Sequence, residues 1–324
     1  MAVTTAKRPS RKHPASVYRR RRTAAAGAMA VALLLLVHAL AGGGRAPRSH
    51  QLRVSDENRA AIDAARPLAD GLDRLLLGAP LPSSAEQQAA IGRLMSLALP
   101  MFCAGTQHKY VALTFDDGPG AQTERVLGLL AHYDQRATFF LLGRQLVEQP
   151  DLPAVEARAA AIGDHTISHF DLTKLSPQQV ESELGATRQL LERAAGAPVR
   201  LFRPPYGAHN PVVDATAQRL GLLQVIWNVD TQDAEGATAA QIVQRAREGM
   251  RPGAIILLHE NRLATLAALP RILRSLRKGG YRSVTVPELF ALNPPSDEQV
   301  RAGFKGCVDA ERTGSRALRP TGAA

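Results

Sequence analysis

Between residues 109 and 291 short β-rich runs alternate with capped amphipathic segments, and this alternation constrains the fold more than any other feature of the chain. The runs are YVALTF, ATFFLL, LFR, LLQVIWNV, AIILLH and YRSVTV. Among the intervening segments, TERVLGLLAHY has helical periodicity, and SPQQVESELGATRQLLERAAG starts with a cap built on Ser176, Pro177 and Gln179. Val180, Leu184, Thr187 and Leu191 share one face of that second segment. TAAQIVQRAREG repeats the cap logic with Thr238 and Gln241, and TLAALPRILRSLRKGG ends in a glycine cap. Strand and helix in alternation predict a parallel sheet with helical crossovers. A complete eight-unit barrel takes about 250 residues. Fewer are available here, so the expected α/β fold is an incomplete or distorted (β/α) barrel, with its chemistry at the carboxyl ends of the strands.

Polar groups stand where that rule wants them. Asp116 and Asp117 end the first run and are followed at once by Gly-Pro-Gly. Adjacent carboxylates repel, so they form either a solvated turn or part of a cation site. GDHTISH supplies His165 and His169, four apart, within chelating reach if the segment makes a single turn. LFRPPYG presents Arg203 and Tyr206 on a loop stiffened by two prolines. VIWNVDTQD ends in Asp230 and Asp233, and IILLHEN ends in His259. Each signal is weak alone, and a lone Asp-Asp-Gly-Pro is more often a solvated turn. Together, two His and one carboxylate make a facial set that leaves open positions on a metal, as in a catalytic site. Zinc suits the set best, with another divalent transition metal such as cobalt as the alternative.

TFDDGP, HTISH, RPPYG, VDTQD and LLH, in that order, resemble the five motifs of the polysaccharide deacetylases, the NodB-homology carbohydrate esterases of family four. The resemblance implies that Asp117, His165 and His169 hold the metal and that Asp116 is the general base, paired with Arg203. It implies His259 as the general acid, oriented by Asp233. Pro205, the backbone of Tyr206, and Leu257 as a wall for an acetyl methyl would contact substrate. The implied reaction is metal-dependent removal of N-acetyl groups from N-acetylhexosamine units of a cell-wall polysaccharide, either peptidoglycan or a chitin-like oligomer. The alternatives are an O-acetyl esterase acting on xylan or a similar polymer, and a catalytically silent glycan-binding module.

One position departs from the family pattern. Ala234 stands where a tryptophan usually follows the second Asp of the fourth motif, so a ring is missing either behind Asp233 or from the groove wall. Trp227 is expected in strand packing, His209 in a solvated loop, Asp230 and Asp164 in structural roles, and Glu260 and Asn261 exposed at the rim.

The formal charge of +11 suggests nucleic acid until it is located. Residues 1–22 carry eight Lys/Arg and no acid, leaving +3 for the rest, so the basicity belongs to a leader and nucleic-acid binding is not expected. Residues 24–43 hold no charged side chain, and at helical rise they span roughly 30 Å, a bilayer core. The expected order is a basic cytoplasmic leader over 1–22 and a transmembrane signal-anchor or cleaved signal peptide over 23–44. A helical stalk or packing arm follows over 45–100, then a catalytic domain over 101–308 and a disordered tail over 309–324. The charge asymmetry puts the catalytic domain outside the cell membrane, or makes it secreted if the signal is cleaved. In that compartment the only two cysteines, Cys103 and Cys307, are expected to pair and tie together the ends of the domain. The flanking LPMFCAG and GFKGCVD also resemble the ends of extracellular bacterial members of the family.

Overall fold

The computed structural model describes residues 81–307. The expected leader, membrane segment, first stalk helix and tail lie outside these residues. Among the described residues no helix is long and apolar enough to cross a membrane.

Eight parallel strands form one curled sheet: β1 (Tyr110–Gly118), β2 (Ala137–Leu141), β3 (Ala161–Asp164), β4 (Leu201–Phe202), β5 (Leu223–Gln224), β6 (Val229–Asp230), β7 (Ile255–His259) and β8 (Arg282–Ser283). The order is β5-β4-β3-β2-β1-β7-β6, with β8 paired to the start of β1. The expected incomplete barrel is thus present. Its two edges, β5 and β6, are consecutive in sequence. No described ladder joins them; instead residues 225–228 cross from one edge to the other. There the Ile226 N–H donates to the Met101 carbonyl, and the Asn228 N–H donates to the Ile255 carbonyl. LLQVIWNV therefore reads as one strand in sequence but is broken in its middle.

Alternation along β1 divides the interior into two layers. Val111, Leu113 and Phe115 face outward with Phe139, Ile256 and Leu258. Over them pack α2 (Thr123–His132), α7 (Ala239–Glu248) and α8 (Leu263–Gly279) through Val126 and Leu130, Ile242 and Val243, and Leu269 and Ile272. Tyr110 and Ala112 face the other way, into a second cluster with Phe140, Ile255, Leu223 and Phe290. Thr114 and Asp116 follow on that inward face at the carboxyl end of the strand. Burial on both sides explains why β1 is nearly continuously apolar. Each aliphatic side chain so buried contributes about 1.5–3 kcal/mol.

Helix α1 (Ser84–Met95) begins at Ser83 with a capping box closed by Glu86, and it buries Ile91 and Leu94 in the second cluster. α5 (Pro177–Ala195) and α7 carry the expected boxes at Ser176 and Thr238, and α5 buries the four predicted face residues. α8 ends at the left-handed Gly280. The sequence reading overlooked β3, whose AIGD is too short and small to register as an apolar run. It also overlooked α3 (Gly143–Glu148), α4 (Leu152–Ala159), α6 (Pro211–Arg219), α9 (Val286–Leu292) and α10 (Asp297–Arg301). YRSVTV contributes only two strand residues, because Thr285 and Glu288 form a capping box that starts α9. Cys103 and Cys307 form the expected disulfide.

Candidate active site

The strand ends bring the predicted polar residues into one cluster. Asp116 ends the inward face of β1 and lies level with His259 on the neighbouring strand β7. Arg203, at the end of β4, is completely buried. Its Nη1 donates to Asp116 Oδ1 and to Thr114 Oγ1, each at 2.8 Å. Its Nε and Nη2 donate to the Val225 and Ile226 carbonyls at 3.0 and 3.1 Å, the two carbonyls freed where β5 breaks. The guanidinium also lies over the Phe140 ring, 4.1 Å from its centroid. Burial pushes the Asp116 carboxyl upward, while the charges of Arg203 and His259 oppose the rise and favour the ionised form.

Asp117 turns the other way. Its φ of 72° places the residue in the left-handed region and directs its side chain toward the histidines. Asp117 Oδ1 lies 3.7 Å from His165 Nε2 and 3.4 Å from His169 Nε2, and the three ligand atoms all fall within 4.8 Å of one another. His165 and His169 do not sit on a helical turn. The segment reverses through Thr166 and His169 at φ 70° and 60°. Asp164 Oδ1 pins the reversal by accepting the Thr166 N–H at 2.7 Å, and Thr166 Oγ1 accepts the His169 N–H at 3.0 Å. Asp164 is therefore the structural residue expected, outside the ligand set.

These three side chains fit a divalent metal. Asp117 Oδ1 is buried and has no hydrogen-bond donor among the described residues. His165 Nδ1 lies 2.7 Å from the Arg203 carbonyl, which can only accept, so Nδ1 carries the proton and Nε2 keeps its lone pair for a cation. Burial lowers the His165 pKa to about 3 and also lowers that of His169, which keeps the imidazoles in the neutral form that ligation needs.

Across the site His259 Nδ1 donates to Asp233 Oδ1 at 2.7 Å, which leaves Nε2 as its free nitrogen. Asp233 Oδ2 accepts the His259 N–H at 2.6 Å and the Thr265 hydroxyl at 2.5 Å. Burial favours neutral His259, but the hydrogen bond to Asp233 and the charges of Asp116, Asp233 and Asp117 outweigh it and raise the pKa. Burial likewise works to raise the Asp233 pKa, yet the hydrogen bonds and charge it receives hold it below the usual range.

Leu257, two residues before His259, shares its face of β7 and is buried. Pro205 is buried, whereas Tyr206 is 68% exposed and stands 4.8 Å ring to ring from His169. Tyr206 is also left-handed, at φ 63°. With Asp117, Thr166 and His169 it makes four such non-glycine residues around the cluster, a concentration of backbone strain typical of functional sites.

Several expectations about the periphery are now resolved. Ala234 is exposed, and Asp233 is held by the Ala234 and His259 N–H groups, the His259 ring and the Thr265 hydroxyl. Trp227 backs the loop, since a Cβ on Gly207 would lie 3.0 Å from its ring. His209 is paired with Asp214 at 3.0 Å, and Asp230 accepts the Gln232 N–H at 2.7 Å. Asn261 is exposed as expected, but Glu260 is not. It is 1% exposed, because its side chain folds back under Gly118 and accepts from the Thr123 hydroxyl. Thr114, within TFDDGP, also belongs to this neighbourhood, as do Thr123, Glu156 and Thr265, which no sequence motif marks.

Comparison with known proteins agrees with this geometry. Residues 104–225 match the polysaccharide deacetylase family profile. The peptidoglycan-N-acetylglucosamine deacetylase PgdA of Listeria monocytogenes is 35% identical over 197 residues, covering 60% of this chain and 42% of that protein. The chain therefore spans less than half the length of that relative. A peptidoglycan-N-acetylglucosamine deacetylase of Bacillus cereus is 37% identical over 189 residues, 56% of this chain and 88% of the relative. Among solved structures, the family 4 carbohydrate esterase of Streptomyces lividans in complex with acetate superposes with a TM-score of 0.52 at 37% identity. That match covers 55% of this chain and 93% of the esterase. With these matches and the five motifs converging on one set of strand ends, the chain belongs to the polysaccharide deacetylase family.

Proposed function

We propose that this protein is a metal-dependent hydrolase that removes N-acetyl groups from N-acetylhexosamine units of a cell-wall glycan, with peptidoglycan as the natural target. The observation that carries the reading is the register of β1 on β7. It sets Asp116, held by Arg203, level with His259, held by Asp233, beside the Asp117–His165–His169 set. A carboxylate base and an imidazole acid thus face one reaction space from two strands. The peptidoglycan deacetylase names of the Listeria and Bacillus relatives support the substrate class.

Asp117, His165 and His169 would hold the metal, zinc or a similar divalent ion, which supplies Lewis-acid charge to the reacting carbonyl and to water near neutral pH. The remaining chemistry belongs to the chain. Asp116 takes the proton of the attacking water, and its bond to Arg203 keeps the carboxylate ionised and oriented. The water oxygen bonds to the acetyl carbon as the carbonyl oxygen gains negative charge, which the Tyr206 N–H meets. His259 Nε2 then gives a proton to the nitrogen as the C–N bond breaks, releasing acetate and a free amine. Asp233 keeps the imidazole oriented and basic enough to arrive protonated. Leu257 walls the acetyl methyl, and Pro205 and Tyr206 border the sugar.

We also propose that this domain works outside the cytoplasm, tethered by the N-terminal segment or released by its cleavage. The Cys103–Cys307 disulfide supports that compartment. The test of the whole reading is Asp116→Asn in the full chain. Acetate release should be lost while zinc stays bound at one per chain. Loss of the metal in that variant would mean that the two Asp roles are exchanged, and undiminished turnover would remove Asp116 from the chemistry.

A further inference from the structure

Behind the corner that carries Asp116 and Asp117 lies a second pair of acids that the reaction does not use. Glu260 follows His259 at the end of β7, and Glu156 lies on α4. The two are 1% and 0% exposed. Their carboxyls are within hydrogen-bonding reach of each other. Among the described residues, no N–H, hydroxyl or cation reaches either oxygen of Glu156 or Oε1 of Glu260. Two ionised carboxylates in that position would repel in a low dielectric with nothing between them, whereas one shared proton turns the repulsion into a hydrogen bond. Burial pushes both acids upward, Glu260 to about 7, in agreement with a pair that retains a proton.

The pair is built into the turn that leaves β1. Glu260 lies so close beneath Gly118 that a Cβ there would sit 1.4 Å from Oε1. Its Oε2 accepts the Thr123 hydroxyl, and Thr123 Oγ1 accepts the Gly120 N–H at 2.9 Å. Its backbone N–H donates to the Asp116 carbonyl at 3.4 Å. Glu260 therefore touches the chain on both sides of Asp117, whose left-handed backbone must be over-determined by its surroundings to persist. Glu156 is what Glu260 leans on.

We propose that Glu156 and Glu260 share one proton and act as a positioning buttress that holds the Gly118–Gly120 turn, and through it sets Asp117 Oδ1 at the height of His165 and His169. The inference rests on the reading of Asp117, His165 and His169 as metal ligands. The pair never touches substrate, and its role is exerted through Asp117.

The test uses zinc binding to the metal-stripped full chain by calorimetry, the absorption spectrum of the cobalt(II)-loaded chain, and the thermal unfolding of the metal-free chain. Glu156→Gln supplies an amide N–H in place of the shared proton and should keep zinc affinity within about twofold of wild type with an unchanged cobalt spectrum. Glu156→Leu fills similar space without a donor or acceptor. It should weaken zinc by about 10–100-fold, the range for loss of an outer-shell partner, and alter the cobalt spectrum. Should that variant not fold, Glu156→Met, longer and equally unable to hold a proton between the two, serves in its place with the same expected loss. Glu260→Gln can accept from Thr123 and donate to Glu156, so it should behave as Glu156→Gln does. Equal zinc affinity and spectra for Glu156→Leu and wild type would overturn the buttress, as would equal losses in Glu156→Gln and Glu156→Leu. Zinc binding that His169→Ala leaves unchanged would overturn the metal reading itself, and the buttress with it.

Discussion

The strand ends carry two kinds of buried acid, and the contrast between them shows how this fold separates chemistry from scaffolding. Asp116 and Asp233 each face a cationic partner, Arg203 at 2.8 Å and His259 at 2.7 Å. Glu156 and Glu260 are equally buried nearby and face each other, and among the described residues the Thr123 hydroxyl is what reaches the pair. Burial penalises the charge on all four. What differs is the partner: Asp116 and Asp233 each meet a cationic group that opposes the penalty, whereas Glu156 and Glu260 meet further acids that add to it. The same solvent exclusion is thus opposed by a cation on one side of the turn and reinforced by neighbouring acids on the other.

The sharpest way to break this contrast is to remove charge on the side that uses it. Asp116→Asn should reduce turnover by about 10⁴-fold, the upper range for a general base, whereas Glu156→Gln should leave kcat near wild type. Equal losses in steady-state kinetics would erase the distinction. His259→Ala should slow the reaction by about 10²–10⁴-fold, and an unchanged rate would remove His259 from the mechanism. Arg203→Met leaves Asp116 buried without its cation, and chemical denaturation should register a loss of about 3–5 kcal/mol.

A smaller effect distinguishes the two sides by pH. A buried acid whose folded pKa is raised keeps a proton that the unfolded chain releases, so stability falls as pH rises from about 4.5 towards 7, the window between the two Glu260 values. Glu156→Gln gives Glu260 a donor and lets it stay ionised, so metal-free chain carrying it should lose less stability across that window. Urea midpoints from pH 4.5 to 8 that fall in parallel for variant and wild type would mean that the pair does not hold the proton. The smallest effect is expected at the groove. Ala234→Trp should change KM by a few-fold and leave kcat and zinc affinity alone, since Ala234 is exposed while Asp233 is already held by His259 and Thr265.

Much of the candidate site was legible in the sequence because its residues are carried by short, contiguous signals. Asp116 with Asp117, Arg203, Asp233 and His259 each follow an apolar run, His165 and His169 stand four apart in one short segment, and a parallel α/β fold collects strand ends on one face. The cap boxes at Ser176 and Thr238 were equally local. What could not be read depends on contacts distant in sequence. β3 is four residues of small character that become a strand only because β2 and β4 flank it. LLQVIWNV breaks because Arg203 draws on two of its carbonyls, 22 and 23 residues away. Glu260 looked like a rim residue because its neighbour Asn261 is one; its burial follows from the absence of a side chain at Gly118, more than a hundred residues upstream.

The central claim is that this strand-end cluster is a metal-dependent deacetylation site. Its most direct test is to strip the full-length chain of metal, restore zinc, and measure acetate and free amine released from N-acetylglucosamine oligomers and from purified peptidoglycan, with Asp116→Asn alongside. The account predicts zinc-dependent release of acetate and amine in equal amounts, absent in the variant. No acetate from either substrate by a folded, zinc-bound chain, or acetate only from an O-acetylated polysaccharide with no amine formed, would contradict it.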